Sequence, residues 1–258
     1  MRFAERLLDR CLVLIQNKRW YLFNNLLVNA MSNAALPILY SYRRCPYAMR
    51  ARMALFAAEI PVEIREISLR NKPAHLLQVS PKGTVPVLVI SDKQVIEQSL
   101  DIMDWALQQH DPNGWLNVSA KARQHWITMN DGPFKKTLDQ YKYPDRHPEY
   151  PQQHYRALGE GYLQQWEQQL SQHRYLTGDQ ASIVDVALFP FVRQFAAVDA
   201  DWFATSQYVH LRTWLTNWVE SALFARIMQK YPTYQDSAEW KKAHKRLFIK
   251  HHWSIDEV

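Results

Sequence analysis

Past residue 36, the apolar positions of this chain change their period several times over a short distance. Ile38 to Ser41 is a short apolar run that predicts a strand, and residues 46–58 carry a helical pattern. Val62, Ile64 and Ile67 mark a second strand over 62–68, followed by a helix over 73–79. The run Thr84-Val85-Pro86-Val87-Leu88-Val89-Ile90 reads as a third strand, Ser91-Asp92 as a turn, and 94–96 as a fourth strand before a helix over 99–109. Pro86 cannot donate to a sheet ladder, so it belongs at a strand's first residue, an edge or a special turn such as a cis Val85-Pro86 bond. His110-Asp111-Pro112-Asn113-Gly114 has linker punctuation, and nearly everything beyond it is helix-patterned, broken around Pro144, Pro148 and Pro151 and again at Tyr175 to Asp179. The expected fold class is therefore a small α/β domain over 37–109, a linker over 110–118, an all-α domain over 119–231 and a helical tail over 232–258.

The first 36 residues form a separate segment. Phe3, Leu7, Leu8, Cys11, Leu12 and Ile15 recur at helical spacing, with charged residues between them, so the segment reads as an amphipathic helical extension. Acidic residues interrupt its basic end, which disfavours a signal peptide, and Met31 offers an alternative start.

Composition narrows the classes. With 47% hydrophobic residues and 10 Trp among 258, the chain can build well-packed cores. Its net charge of +6 is spread along the chain, and the basic run Lys241, Lys242, Lys245 and Arg246 reads as a solvated helix face, so no nucleic-acid partner is expected. No apolar run is long enough for a membrane span, and two cysteines, Cys11 and Cys45, make no disulfide framework. A reducing cytoplasm is the expected compartment.

Cys45 carries the chemistry. It stands where the first strand has stopped and Pro46 opens a helix, so unpaired N–H groups and the helix dipole favour a thiolate there. Arg43 and Arg44 add positive charge nearby, which predicts a lowered Cys45 pKa. The fourth position of the C-x-x-C pattern is Ala48, so a mixed disulfide formed at Cys45 must be resolved by an outside thiol. His125 has no partner at metal-ligand spacing, and no metal site is expected.

The order Cys45-Pro46-Tyr47-Ala48, Asn71-Lys72-Pro73, Ser80-Pro81-Lys82-Gly83-Thr84-Val85-Pro86 and Gln98-Ser99-Leu100-Asp101-Ile102 resembles the glutathione transferase superfamily, in particular its cysteine-containing omega-type and glutaredoxin-like members. Leu176-Thr177-Gly178-Asp179 and the run Ser182 to Pro190 resemble that family's helical domain. The resemblance implies a thioredoxin-like first domain that binds glutathione as cosubstrate, with Cys45 as the catalytic residue facing its sulfur. It assigns Lys72 to the glycyl carboxylate, the Val85 backbone at Pro86 to the cysteinyl amide, and Gln98 and Ser99 to the γ-glutamyl end. Where many relatives have Glu, this chain has Gln98, which lacks a charge for the ammonium.

Two kinds of enzyme follow from the resemblance, with a small disulfide or an electrophile as second substrate: a glutathione-dependent thiol transferase or reductase working through glutathionylated Cys45, or a glutathione-conjugating transferase. A non-catalytic interaction protein on the same fold is the third reading. A homodimer is expected by analogy. Tyr47, His125, Trp126 and Met129 are candidates for a second-substrate pocket, although aromatic residues at helical spacing are also the pattern of a core. Ser182 and Asp185 form an S-x-x-D capping pattern, and Ser99 is placed as the N-cap of its helix.

Overall fold

The computed structural model describes residues 36–237 and Glu239. The amphipathic helix expected at the N-terminus, Cys11, and almost all of the tail beyond 237 lie outside the described residues.

The first strand, β1 (Ile38–Ser41), runs parallel to β2 (Glu63–Glu66), with Leu39 opposite Ile64, and antiparallel to β3 (Val87–Ser91), with Leu39 opposite Leu88. β4 (Gln94–Ile96) closes a four-stranded sheet of order β2-β1-β3-β4. Helices α1 (Pro46–Ala57), α2 (Ala74–Val79) and α3 (Ser99–Gln109) complete the thioredoxin-like layer. The pleat sorts the side chains. Leu39, Ile64 and Leu88 face the main core with α1 and α3, while Tyr40, Val87 and Val89 face α2 through Leu76. Two strands are shorter than expected: the second spans only four residues, and the third begins at Val87 because Pro86 has no N–H to give the ladder.

Trp115 and Leu116 are held in the expected linker by backbone donation to the Asp111 carboxylate, at 2.9 and 2.8 Å, and Trp115 is buried. Beyond it come α4 (Ala120–Met129), a π-helical turn (Asn130–Phe134), α5 (Lys135–Lys142), a 3₁₀ turn (Pro144–Arg146), α6 (Gln152–Leu170), α7 (Ile183–Ala196), α8 (Ala200–Thr205), α9 (Val209–Val219) and α10 (Ala222–Ile227). Helix α7 is hydrophobic all round and forms the centre of the helical domain. Helix α6 approaches it closely at Gly159, where a Cβ would stand 2.3 Å from the Phe195 ring. Ser182 and Asp185 form the capping box at the start of α7. The tail departs from expectation: residues 231–236 are non-helical. There the Tyr234 N–H donates to Glu66 O at 2.7 Å along the exposed side of β2. Among the described residues no helix is long and apolar enough to cross a membrane.

Helix α1 sets the geometry that follows. It lies between the sheet, α3, α7 and α10, and eleven of its twelve residues are buried, including Arg50 and Arg52 at 1% and 2% exposure.

Candidate active site

Cys45 is the N-cap residue of α1. Its backbone is extended (φ −72°, ψ 123°), its N–H donates to Tyr42 O at 3.0 Å, and its carbonyl accepts from Met49 N at 2.9 Å. Pro46 follows as the first helical residue, where its missing N–H costs nothing. The Cys45 side chain makes no capping bond. Its S–H instead points across the sheet end to Val85 O, with Sγ at 3.6 Å, and the Val85-Pro86 bond is cis.

Burial pushes the Cys45 thiol up from its ordinary value. The backbone N–H groups of Ala48 and Tyr47, then the guanidiniums of Arg52 and Arg50, pull the other way without winning. This corrects the expected acidic thiol: the guanidiniums that act most strongly on Cys45 are those of Arg52 and Arg50, inside α1, and desolvation outweighs them. The alkylation rate of Cys45, measured in a Cys11→Ser background, should therefore keep rising with pH to an inflection above the ordinary thiol value of about 8.5. An inflection below that value would show that the helix terminus dominates after all.

Lys72 and the Val85 loop come together through Gly83. That glycine has φ +59°, and a Cβ there would stand 2.9 Å from Leu77 Cδ2 and 3.1 Å from Lys72 Nζ, so the lysine head folds over it. Gln98 is exposed at the cap position of α3 and makes no side-chain cap bond. Ser99 is not the N-cap that its sequence position suggests. It is the first residue of the helix, 4% exposed, and its Oγ accepts from Arg50 Nε at 2.9 Å. Glu97, the neighbouring carboxylate, is engaged by Ser80 Oγ at 2.6 Å.

Sequence reasoning passed over Arg50 and Asp131. Arg50 makes a two-pronged pair with Asp131, at 2.9 and 2.6 Å, while also donating to Ser99, and it lies over the rings of Tyr47 and Phe191 at 5.0 and 5.3 Å. One buried guanidinium thus joins α1, the start of α3 and the helical domain. Asp131 sits in the π-helical turn, where Asn130 Nδ2 also donates to it at 2.8 Å. The available signal was Gly132-Pro133 inside a helical pattern, a breaker that marks irregular helix.

The four pocket candidates divide. Trp126 is in the core, Met129 packs partly against it, His125 is exposed with its ring 4.7 Å from that of Trp126, and Tyr47 is half-buried against Phe191. Among the described residues no cluster of His, Cys, Asp and Glu is arranged to hold a metal ion.

The chain matches two family models, the glutathione S-transferase N-terminal domain over residues 39–114 and the glutathione S-transferase C-terminal domain over residues 149–217. It is 27% identical to mouse glutathione S-transferase omega-1 over 165 residues, covering 62% of this chain and 68% of the mouse protein. It is 44% identical to human glutathione S-transferase omega-2 over 62 residues, which is 24% of this chain and 26% of the human protein. A solved glutathione transferase family member from Pseudomonas fluorescens, with two glutathione bound, superposes with a TM-score of 0.64 at 18% identity, covering 75% of this chain and 92% of that one.

Proposed function

Because this chain belongs to the glutathione transferase superfamily, we propose that it is a glutathione-dependent thiol transferase or reductase acting through Cys45. The observation that carries this reading is a cysteine at the N-cap of α1, with its sulfur 3.6 Å from Val85 O and no second thiol at Ala48 to resolve it. The Cys45 thiolate attacks the glutathione sulfur of a mixed disulfide. The S–S bond breaks, the second substrate leaves as a thiolate that takes up a proton, and Cys45 is glutathionylated. A second glutathione thiolate attacks that glutathione sulfur, forms glutathione disulfide and returns the Cys45 thiolate. The raised pKa lowers the thiolate fraction at neutral pH while making each thiolate more nucleophilic.

The remaining residues hold the tripeptide in this reading. Lys72 binds the glycyl carboxylate, and Val85, presented by Pro86, pairs with the cysteinyl backbone. Gln98 and Ser99 receive the γ-glutamyl end. Ser99 accepts from Arg50, which turns its own O–H outward as a donor to a carboxylate. A homodimer belongs to the same proposal.

Mass spectrometry of the intact protein after treatment with glutathione disulfide, paired with turnover of a small glutathione mixed disulfide, tests the reading. One glutathione adduct, mapped to Cys45 and removed by added glutathione, is expected together with turnover. Turnover without any adduct, or an adduct elsewhere only, would exclude it.

A further inference from the structure

Tyr40, on β1, is fully buried, so its hydroxyl must find its partners inside the protein. Among the described residues these are Arg65 Nη1 at 2.8 Å and His75 Nδ1 at 2.6 Å. A guanidinium only donates, so the phenol oxygen accepts from Arg65 and its O–H is left for the histidine. His75 Nδ1 is then a bare acceptor, and the ring is neutral with its proton on Nε2. A protonated ring would aim a second N–H at the same oxygen, strand the Tyr40 O–H and set a cation beside Arg65.

The rest of the cluster holds Arg65 in place. Its Nε donates to Glu63 Oε1 at 2.6 Å, and its guanidinium lies over the rings of Tyr40 and Tyr234 at 5.5 and 4.5 Å. Tyr234 stands edge-on to Tyr40 and donates to Asp236 Oδ1 at 3.1 Å. Glu63 is thus engaged by Arg65 and Asp236 by Tyr234, and the charge that meets His75 across the phenol is the guanidinium.

His75 sits on α2, whose hold on the sheet is slight. The helix has six residues, no side-chain cap and one buried residue, Leu76, with Val79 partly packed. Lys72 and the buried Pro73 lead directly into it. Leu77 of the helix meets Lys72 at Gly83, where an added Cβ would touch both side chains. The Tyr40–His75 bond is the polar fastening of this unit to β1.

We propose that His75 is a positioning residue for glutathione: as the neutral acceptor of the Tyr40 hydroxyl it fastens α2 to the sheet and so holds Lys72 where the glycyl carboxylate arrives, and taking up a proton releases that hold. This rests on the reading of Lys72 given above. Histidine is the side chain that ordinarily changes charge between about pH 5 and 8. The fastened arrangement needs the neutral ring, so glutathione binding is full at the upper end of that range and is lost as pH falls. Cys45 adds nothing to this loss, because burial pushes its pKa up and the thiol keeps its proton throughout.

Calorimetric titration of the full chain with glutathione at about pH 7.5 and about pH 5.5 tests the inference. The wild-type dissociation constant should rise by ~5-fold or more at the lower pH. His75→Asn offers an amide oxygen in place of Nδ1 and cannot take up a proton, so its affinity should change by less than ~2-fold between the two. Tyr40→Phe removes the hydroxyl and should bind weakly at both. Equal pH dependence in the wild type and His75→Asn, or a wild-type affinity that does not fall, would overturn the proposal. Lys72→Ala is the control: unchanged affinity there would remove the carboxylate assignment and this inference together, and no glutathione binding by the wild type at either pH would remove the proposed function as well.

Discussion

Replacing Cys45 with serine is expected to abolish thiol transfer, a fall of at least ~10³-fold in turnover of a glutathione mixed disulfide. A serine hydroxyl cannot form the mixed disulfide, so the covalent route closes entirely. Little else changes, since the Cys45 side chain makes no helix-capping bond and the serine hydroxyl can donate to Val85 O as the thiol does. The same hydroxyl could donate to the sulfur of a bound glutathione thiolate, so weak conjugating activity toward an electrophile should persist or rise. Full disulfide turnover in Cys45→Ser would refute the cysteine-centred mechanism. A loss of conjugation together with reduction, with the melting temperature unchanged, would mean that the sulfur serves both reactions.

Asp185→Ala is expected to be the most destabilising single change in the helical domain. The Asp185 carboxylate is fully buried and accepts from Leu176 N at 2.9 Å, Trp214 Nε1 at 3.0 Å, Ser182 N at 3.0 Å and Ser182 Oγ at 3.1 Å. It therefore ties the start of α7 to the preceding turn and to α9. Burial pushes its carboxyl up from the ordinary range, against the pull of those donors. Alanine would strand the donors in the interior at a cost of about 3–5 kcal/mol, equivalent to a fall of roughly 6–20 °C in Tm. Asp185→Asn keeps one acceptor oxygen but turns an NH₂ toward the remaining donors, so it should lie between. Calorimetry placing Asp185→Ala within about 2 °C of the wild type would show that the network carries little stability.

The sheet and most of the helices were legible along the chain. Period-two strands, turn residues and long helical periods are local properties, and the S-x-x-D pattern announced a capping box because that motif closes within one helical turn. Cys45 was placed correctly at a helix N-terminus for the same reason. Its acidity was misjudged: helix dipole and neighbouring arginines are visible in sequence, whereas the desolvation that outweighs them depends on how closely Val85 and the helices pack around the sulfur. Ser99 shows the same division. Its position at a helix start could be read, but the guanidinium of Arg50, 49 positions earlier, occupies its oxygen.

By itself the sequence determined the order of the elements, the small α/β layer before the helical one, and a thiol at Cys45 whose C-x-x-C partner position is Ala48. These follow from short-range patterning and residue identity, which no later packing can alter. Only the tertiary structure decided where charge goes. Arg50 and Arg52, which a helical pattern alone would send to solvent, are buried because α1 is enclosed on every side, and each survives there by finding acceptors far along the chain: Asp131 for Arg50 and Ile227 O at 3.0 Å for Arg52, whose pKa burial brings down to about 10. Arg43 and Arg44, adjacent to the thiol in sequence, line a cavity beside β2. Electrostatic influence falls with distance through space and is scaled by the local dielectric, and neither quantity is written in separation along the chain.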